Sequence, residues 1–205
     1  MILINKNVPT EIIDFLSKKD CLRLLPNLKK ISDSTKGHID LGCVKAGDKL
    51  VCCPEFYGYL SDIPNAVKGE KDPENGYPAD VLYNAVQVGE YLIGLKNALD
   101  KKVAEAAEEL KIIGTKQGYA KCNVVCVSDR AIITEDESIK KSAEKAGISV
   151  LLIKKGYVFL DGYEHGFIGG ASVLTNKELI FTGDISKHPD FGKIISFCSE
   201  RGVKT

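Results

Sequence analysis

The chemistry open to this sequence of 205 residues rests on seven cysteines, at positions 21, 43, 52, 53, 122, 126 and 198, and on three widely separated histidines. A thiol beside an imidazole is a nucleophile with its own proton carrier, and a carboxylate near them can grip a cation. An odd number of thiols, in a chain large enough to fold without staples, fits a reducing compartment. Free thiols and a cytoplasmic location are therefore expected. No Cys-x-x-Cys pair occurs and the histidines are not spaced as ligands, so neither a metal nor a cofactor is expected. Cys122 and Cys126 could face one way on a strand, where two small buried apolar residues are the plainer explanation. Gly166, Gly169 and Gly170 form a cluster, but a phosphate-cradling loop should open a helix and Val173 begins a strand. Close approach of backbone is the better reading of these glycines.

Charge and hydropathy remove other classes. Lys and Arg number 28 against 28 Asp and Glu, and no basic run exceeds Lys-Lys, so nothing marks a surface for a phosphate backbone. No nucleic-acid partner is expected on this ground. No apolar stretch approaches the roughly 18 residues of a membrane span, and the first residues lack the pattern of a signal peptide.

The elements that must position these side chains come from a repeat. Asn84-Ala85-Val86-Gln87-Val88-Gly89-Glu90-Tyr91-Leu92-Ile93 recurs 39 residues later from Asn123 to Ile132, and the pattern returns at Val44–Val51 and Val173–Ile180. Units of roughly 40 residues imply a propeller, solenoid or array. In the clearest unit, Ser128-Asp129-Arg130 reads as a hairpin turn, and Asp136 caps a helix with Ile139, Ala143 and Ala146 on its buried stripe. Val150 to Ile153 reads as a strand covered on both faces, giving the order β-β-α-β. Further helices are expected from Pro9, from Asp100 to Leu110 and from Phe191 to Ser199. Residues 67–76 read as a solvated loop. Units of approximately 1–39, 40–83, 84–122, 123–168 and 169–205 then form one domain. The first unit begins at its second strand and the last shows no closing apolar strand, so the N-terminal strand is expected beside the C-terminal unit, with the natural chain continuing past Thr205.

Five ββαβ units about a pseudo-fivefold axis resemble the pentein fold of the guanidino-group-modifying enzymes, which is shared by a ribosome anti-association factor. More closely, Tyr77-Pro78-Ala79-Asp80, Lys116-Gln117-Gly118-Tyr119-Ala120-Lys121-Cys122 and Gly166-Phe167-Ile168-Gly169-Gly170-Ala171-Ser172 resemble an uncharacterised bacterial family of that fold. The resemblance covers nearly the whole chain. It implies an active site at the mouth of the ring, in loops that here contain His38, Asp40, Asp80, Asn84, Tyr119, Cys122, Glu164 and His165.

On that footing Cys122 is the expected nucleophile and His165 or His38 the proton carrier. Asp40, Asp80 and Glu164, with Asn84 and Tyr119, are the expected substrate-binding groups. Plainer roles exist for each: a structural thiol for Cys122, a backbone hydrogen bond for His165, and turn or helix caps for Asp40 and Asp80. One departure bears on catalysis, because the enzymes of this fold carry their nucleophile near the C-terminus, whereas Cys198 lies on the apolar stripe of a predicted helix. The resemblance therefore implies a protein that binds a small guanidino or amidine-type cation, with Cys-dependent hydrolase or amidinotransferase chemistry. The alternative is a non-catalytic pentein that binds a macromolecular surface, as the anti-association factor does. The sequence leaves the oligomeric state open.

Overall fold

A computed structural model describes residues 1–205 as five small sheets, each carrying its own helix. The first holds β1 (Ile2–Asn5) and β2 (Leu22–Leu25), parallel, joined through α1 (Thr10–Ser17). In the second, β3 (Cys43–Ala46) pairs antiparallel with β4 (Lys49–Cys52), which pairs parallel with β5 (Ala66–Lys68) after α2 (Pro54–Leu60). The third repeats this with β6 (Val86–Val88), β7 (Tyr91–Gly94), α3 (Lys101–Ala106) and β8 (Lys111–Gly114). A single-turn helix, α4 (Ala120–Asn123), leads into the fourth: β9 (Val124–Ser128), β10 (Ala131–Thr134), α5 (Glu137–Lys145) and β11 (Ser149–Leu152). The fifth has the antiparallel pair β12 (Ser172–Thr175) and β13 (Glu178–Phe181), then α6 (Phe191–Ser199).

Local chemistry explains most of these elements. The carboxylate of Asp136 accepts from the amides of Ser138 and Ile139, and Asp100 accepts from that of Lys102, so two helices start where a capping side chain meets orphan N–H groups. Ile139 and Ala143 fall on one face of α5 and are fully buried. In the hairpin between β6 and β7, Gly89 has φ of +55°, and a Cβ there would sit 2.5 Å from the carbonyl oxygen of Asp129 in the next sheet's hairpin. Only glycine allows the two turns to touch.

Each sheet meets the next. β3 lies beside β6, β6 beside β9 and β9 beside β12. The first sheet joins the second through Arg23–Asp62, and joins the fifth through Lys19–Glu178, Asn176 Nδ2 donating to the carbonyl of Lys19, and Thr175 Oγ1 donating to Asp20. The N-terminal strand thus belongs to a unit that contacts the C-terminal one. Apolar side chains fill the space under the sheets, with Phe56, Leu60, Tyr83 and Leu92 fully buried in the largest cluster.

Three expectations are corrected. Val150, Leu151 and Leu152 are only half-buried, because β11 is the edge of its sheet and has one paired side. Residues 66–68, placed partly in a loop by the neighbouring prolines, are a strand because Val67 pairs with Val51. The helix expected from Asp100 to Leu110 stops at Ala106. The last unit has no closing strand, as expected; Lys204 alone bridges parallel to Glu178, exchanging hydrogen bonds with Lys177 and Leu179. No helix is long and apolar enough to cross a membrane.

All seven cysteines are free and five are buried. Burial pushes the thiols of Cys52 and Cys53 up to about 12 and raises those of Cys43, Cys122, Cys126 and Cys198 as well. In the unfolded chain these thiols ionise near 9.0, so between that pH and their folded values the unfolded state holds fewer protons and stability falls as pH rises. Each thiol contributes a loss of up to about 1.4 kcal/mol per pH unit in that window. Urea midpoints measured from pH 8 to 10.5 are expected to drop steeply above 9, and a flat profile would contradict the burial of these groups.

Candidate functional site

The thiol of Cys122 is held by residues from the segments that lead into the second and third sheets. Its S–H donates to Asp40 Oδ2 at 3.1 Å, and Asn84 Nδ2 donates to Sγ at 3.2 Å. One ligand atom each from His38, Asp40 and Cys122 lie within 4.8 Å of one another. Asp40 sits in a short 3-10 turn, Ile39–Leu41, that feeds β3. Cys122 occupies the equivalent approach to β9, in α4 rather than at the strand start the sequence suggests.

Asn84 makes this geometry. Fully buried, its Oδ1 accepts from the amides of Lys121 (2.8 Å) and Cys122 (3.3 Å), capping a helix distant in sequence. Its Nδ2 also donates to the carbonyl of Asp40 at 3.2 Å. One amide therefore ties α4, the Asp40 turn and the thiol together. Asn84→Asp replaces both donations by lone pairs aimed at a carbonyl and a thiol, and is expected to cost about 2–3 kcal/mol. Thermal melting checks the loss, and slower alkylation of Cys122 should accompany it.

Burial pushes the Cys122 thiol well above its usual value and the neighbouring Asp40 carboxylate raises it further, while the Asn84 hydrogen bond acts in the other direction. The resting residue is a protonated thiol. Lys121 was not singled out from sequence, yet its Nζ donates to the carbonyl of Gly169 at 3.2 Å and, with His38, Asp40, Gly169 and Gly170, it lines a cavity of about 890 Å³. Cys122 is 4 % exposed and lies behind Asp40, outside that lining.

The remaining expected residues divide. Asp80 and Tyr119 pair directly through a short hydrogen bond from the phenol, which burial and Asp80 push above its ordinary range. The other Asp80 oxygen, Oδ1, is buried without a partner. Tyr119 stands between Tyr77 and Phe167, each with ring centres 6.2 Å away, and Phe167 packs edge-on against His165. His165 is not among the groups gathered at the thiol, and its Nδ1 is engaged with the carbonyl of Gly166 at 2.9 Å. Glu164 is exposed and makes no side-chain hydrogen bond. Of the two histidines considered, His38 is the one placed at the thiol.

Glu135 also escaped notice. It follows β10, is 8 % exposed, and accepts from the amide of Ile168 at 3.0 Å while its Oε1 has no partner. Burial raises its carboxyl. The available signal was a carboxylate ending the apolar run Ala131–Thr134.

Small sheets in β-β-α-β order, with a buried cysteine near an aspartate and a histidine, make a mixed α/β fold similar to that of the pentein enzymes. The fold is similar to that of DDAH from Pseudomonas aeruginosa, a cysteine-to-serine mutant complexed with citrulline, with a TM-score of 0.55 and 12 % identity over 95 % of this chain and 77 % of that one. It is likewise similar to a cysteine-to-serine agmatine deiminase from C. jejuni with substrate bound, with a TM-score of 0.51 and 12 % identity over 93 % of this chain and 76 % of the other. The chain belongs to the Family of unknown function (DUF6873), whose model matches residues 3–205. No curated protein matches it in sequence.

Proposed function

We propose that the five units form one domain closed about a pseudo-fivefold axis, and that it binds a small guanidino or amidine-type cation where the inner loops meet, for Cys-dependent hydrolase or amidinotransferase chemistry. The observation that carries this reading is the mutual approach of Cys122, Asp40 and His38 within 4.8 Å. A planar cation is held best by a carboxylate accepting two parallel N–H bonds, a role this reading gives to Asp40, with the unpaired Oδ1 of Asp80 as a second acceptor. Seven free thiols support a reducing, cytoplasmic setting.

The protonated thiol fits activation by the ligand itself. When a guanidinium takes over the Asp40 carboxylate, Asp40 no longer raises the thiol and a positive charge stands beside the sulfur. The proton passes to His38, and the thiolate attacks the central carbon, forming an S–C bond. His38 returns the proton to the departing amine as the C–N bond breaks. Water then attacks the same carbon, the S–C bond breaks and the thiol is regenerated; a second amine in place of water gives transfer.

Asp40→Asn separates this mechanism from a structural thiol. It removes the negative charge that raises Cys122, so alkylation by neutral iodoacetamide is expected to speed up by about threefold to tenfold at fixed pH. It also removes the cation's partner, so labelling by 2-chloroacetamidine should slow by about tenfold or more. Opposite signs support the reading, and parallel changes sink it.

One observation favours the alternative of a macromolecular partner. Tyr157, Phe159 and Tyr163 are 56 %, 90 % and 53 % exposed on a single loop, and aromatic residues are enriched where proteins meet. Retention of partner capture by Cys122→Ser, together with the absence of amidine labelling in the wild type, would decide for that reading.

A further inference from the structure

The groups gathered at Cys122 are an imidazole, a carboxylate and a thiol, one of each. Their ligand atoms, from His38, Asp40 and Cys122, all lie within 4.8 Å of one another. Around a tetrahedral ion with bonds of about 2.0–2.3 Å, ligand atoms stand about 3.3–3.8 Å apart. Cys122 Sγ and Asp40 Oδ2, at 3.1 Å, are already close to that spacing, and the His38 nitrogen has no more than about 1 Å to close. Ligand spacing along the chain hides this set, because His38 and Asp40 meet Cys122 only across units.

The set is held in place by the fold. The amide of Gly42 and the thiol of Cys43 both donate to the carbonyl of Ile39, at 3.0 and 3.4 Å, and so pin the turn that carries Asp40. Asn84 Nδ2 donates to the Asp40 carbonyl and, at the same distance of 3.2 Å, to Cys122 Sγ. An outer hydrogen bond of that kind orients a ligating sulfur and stabilises its negative charge. His38 is half-buried at the start of the turn and its side chain makes no capping bond. A ring nitrogen is therefore left for a ligand.

We infer that His38, Asp40 and Cys122 form a binding site for one divalent ion of the zinc class, whose fourth position opens on the cavity of about 890 Å³. His38 and Asp40 line that cavity and Cys122 lies outside its lining, so the three ligands leave the cavity side open. Three protein ligands and an open position are the pattern of a zinc site that takes a water molecule or a ligand oxygen. Imidazole and thiolate select against Mg²⁺ and Ca²⁺, which prefer oxygen alone.

Charge balances at the site. On binding, the Cys122 S–H bond breaks, the proton leaves to solvent and the sulfur lone pair bonds the ion, with no change of oxidation state. One dication then neutralises the thiolate and the Asp40 carboxylate, which in the metal-free chain share a single proton. The site does not depend on guanidinium chemistry. A sulfur bound to zinc does not attack carbon, so the metal-loaded chain and an amidine-reactive chain are exclusive states.

The probe is Co²⁺, whose spectrum reports its ligands, added to the reduced full chain after treatment with a chelator. One equivalent is expected to produce a near-ultraviolet thiolate charge-transfer band and the intense visible bands of four-coordinate cobalt, and one equivalent of Zn²⁺ should abolish both. Cys122→Ser should remove the charge-transfer band. His38→Ala, which alters a half-buried ring outside the core, should weaken Zn²⁺ by more than the roughly tenfold to hundredfold cost of an outer-shell change. Cys21→Ser, at the exposed thiol, should leave the spectrum as it is. No amidine is present, so loss of cobalt binding and loss of amidine labelling are read separately. A charge-transfer band that survives Cys122→Ser or vanishes in Cys21→Ser, a six-coordinate spectrum without sulfur, or unchanged Zn²⁺ affinity in His38→Ala would each overturn the site. If Cys122→Ser fails to fold, His38→Ala decides alone.

Discussion

Cys122→Ser is expected to reduce any amidine-directed reaction of this protein by about a thousandfold or more, because a hydroxyl ionises far less readily than even a strongly raised thiol. The substitution keeps a donor to Asp40 and an acceptor for Asn84, so the three hydrogen-bonded groups stay in place. Its effect on the melting temperature should be small, which separates lost chemistry from lost fold. The measurement is 2-chloroacetamidine labelling followed by peptide mapping. In the wild type the label should fall on Cys122, with its rate climbing about tenfold per pH unit below the thiol's raised value, since only the thiolate attacks. Faster labelling of the exposed Cys21 than of Cys122 would remove the assignment.

The largest structural effect is expected at Gly169. A Cβ there would stand 2.5 Å from the carbonyl oxygen of Lys121, 2.6 Å from that of Val124 and 2.7 Å from that of Cys122. All three obstacles are backbone, so no rotamer change relieves them. Next to it, the amide of Gly170 donates to the carbonyl of Cys122 at 2.9 Å. Gly169→Ala must therefore push the segment entering β12 away from α4. A loss of about 3 kcal/mol is expected, and at this chain length that lowers the melting temperature by about 6–12 °C. Because the displaced backbone carries Cys122, the variant should also lose amidine labelling beyond what its remaining folded fraction explains. A melt within 2 °C of the wild type, where roughly 0.5–1 kcal/mol would be at stake, would contradict this packing.

The glycine cluster at 166–170 was legible as a place of close backbone approach, since glycine is the residue that chains need where a Cβ has no room. The helix that begins at Asp136 was legible for a similar reason: a capping carboxylate and a buried stripe act within a few residues of each other. Asn84 was legible only as a residue that recurs. Its counterpart Asn123 is also buried, but donates only to the carbonyl of Tyr119. Nothing in the repeat distinguishes the asparagine that holds a thiol from the one that closes a turn.

By itself, the sequence determined the units. Alternating aliphatic residues, hairpin turns and helix caps depend on neighbours a few positions apart, and their spacing survives any change in how the units pack. Only the tertiary structure decided which loop residues meet. Asp40 and Cys122 are 82 positions apart and come together because one asparagine binds both approaches. His165 and Glu164, with the right chemistry for the same site, end against Phe167 and in solvent. Those outcomes follow from the stacking of one sheet against the next, which sets side-chain positions across units and leaves no periodic trace in the chain.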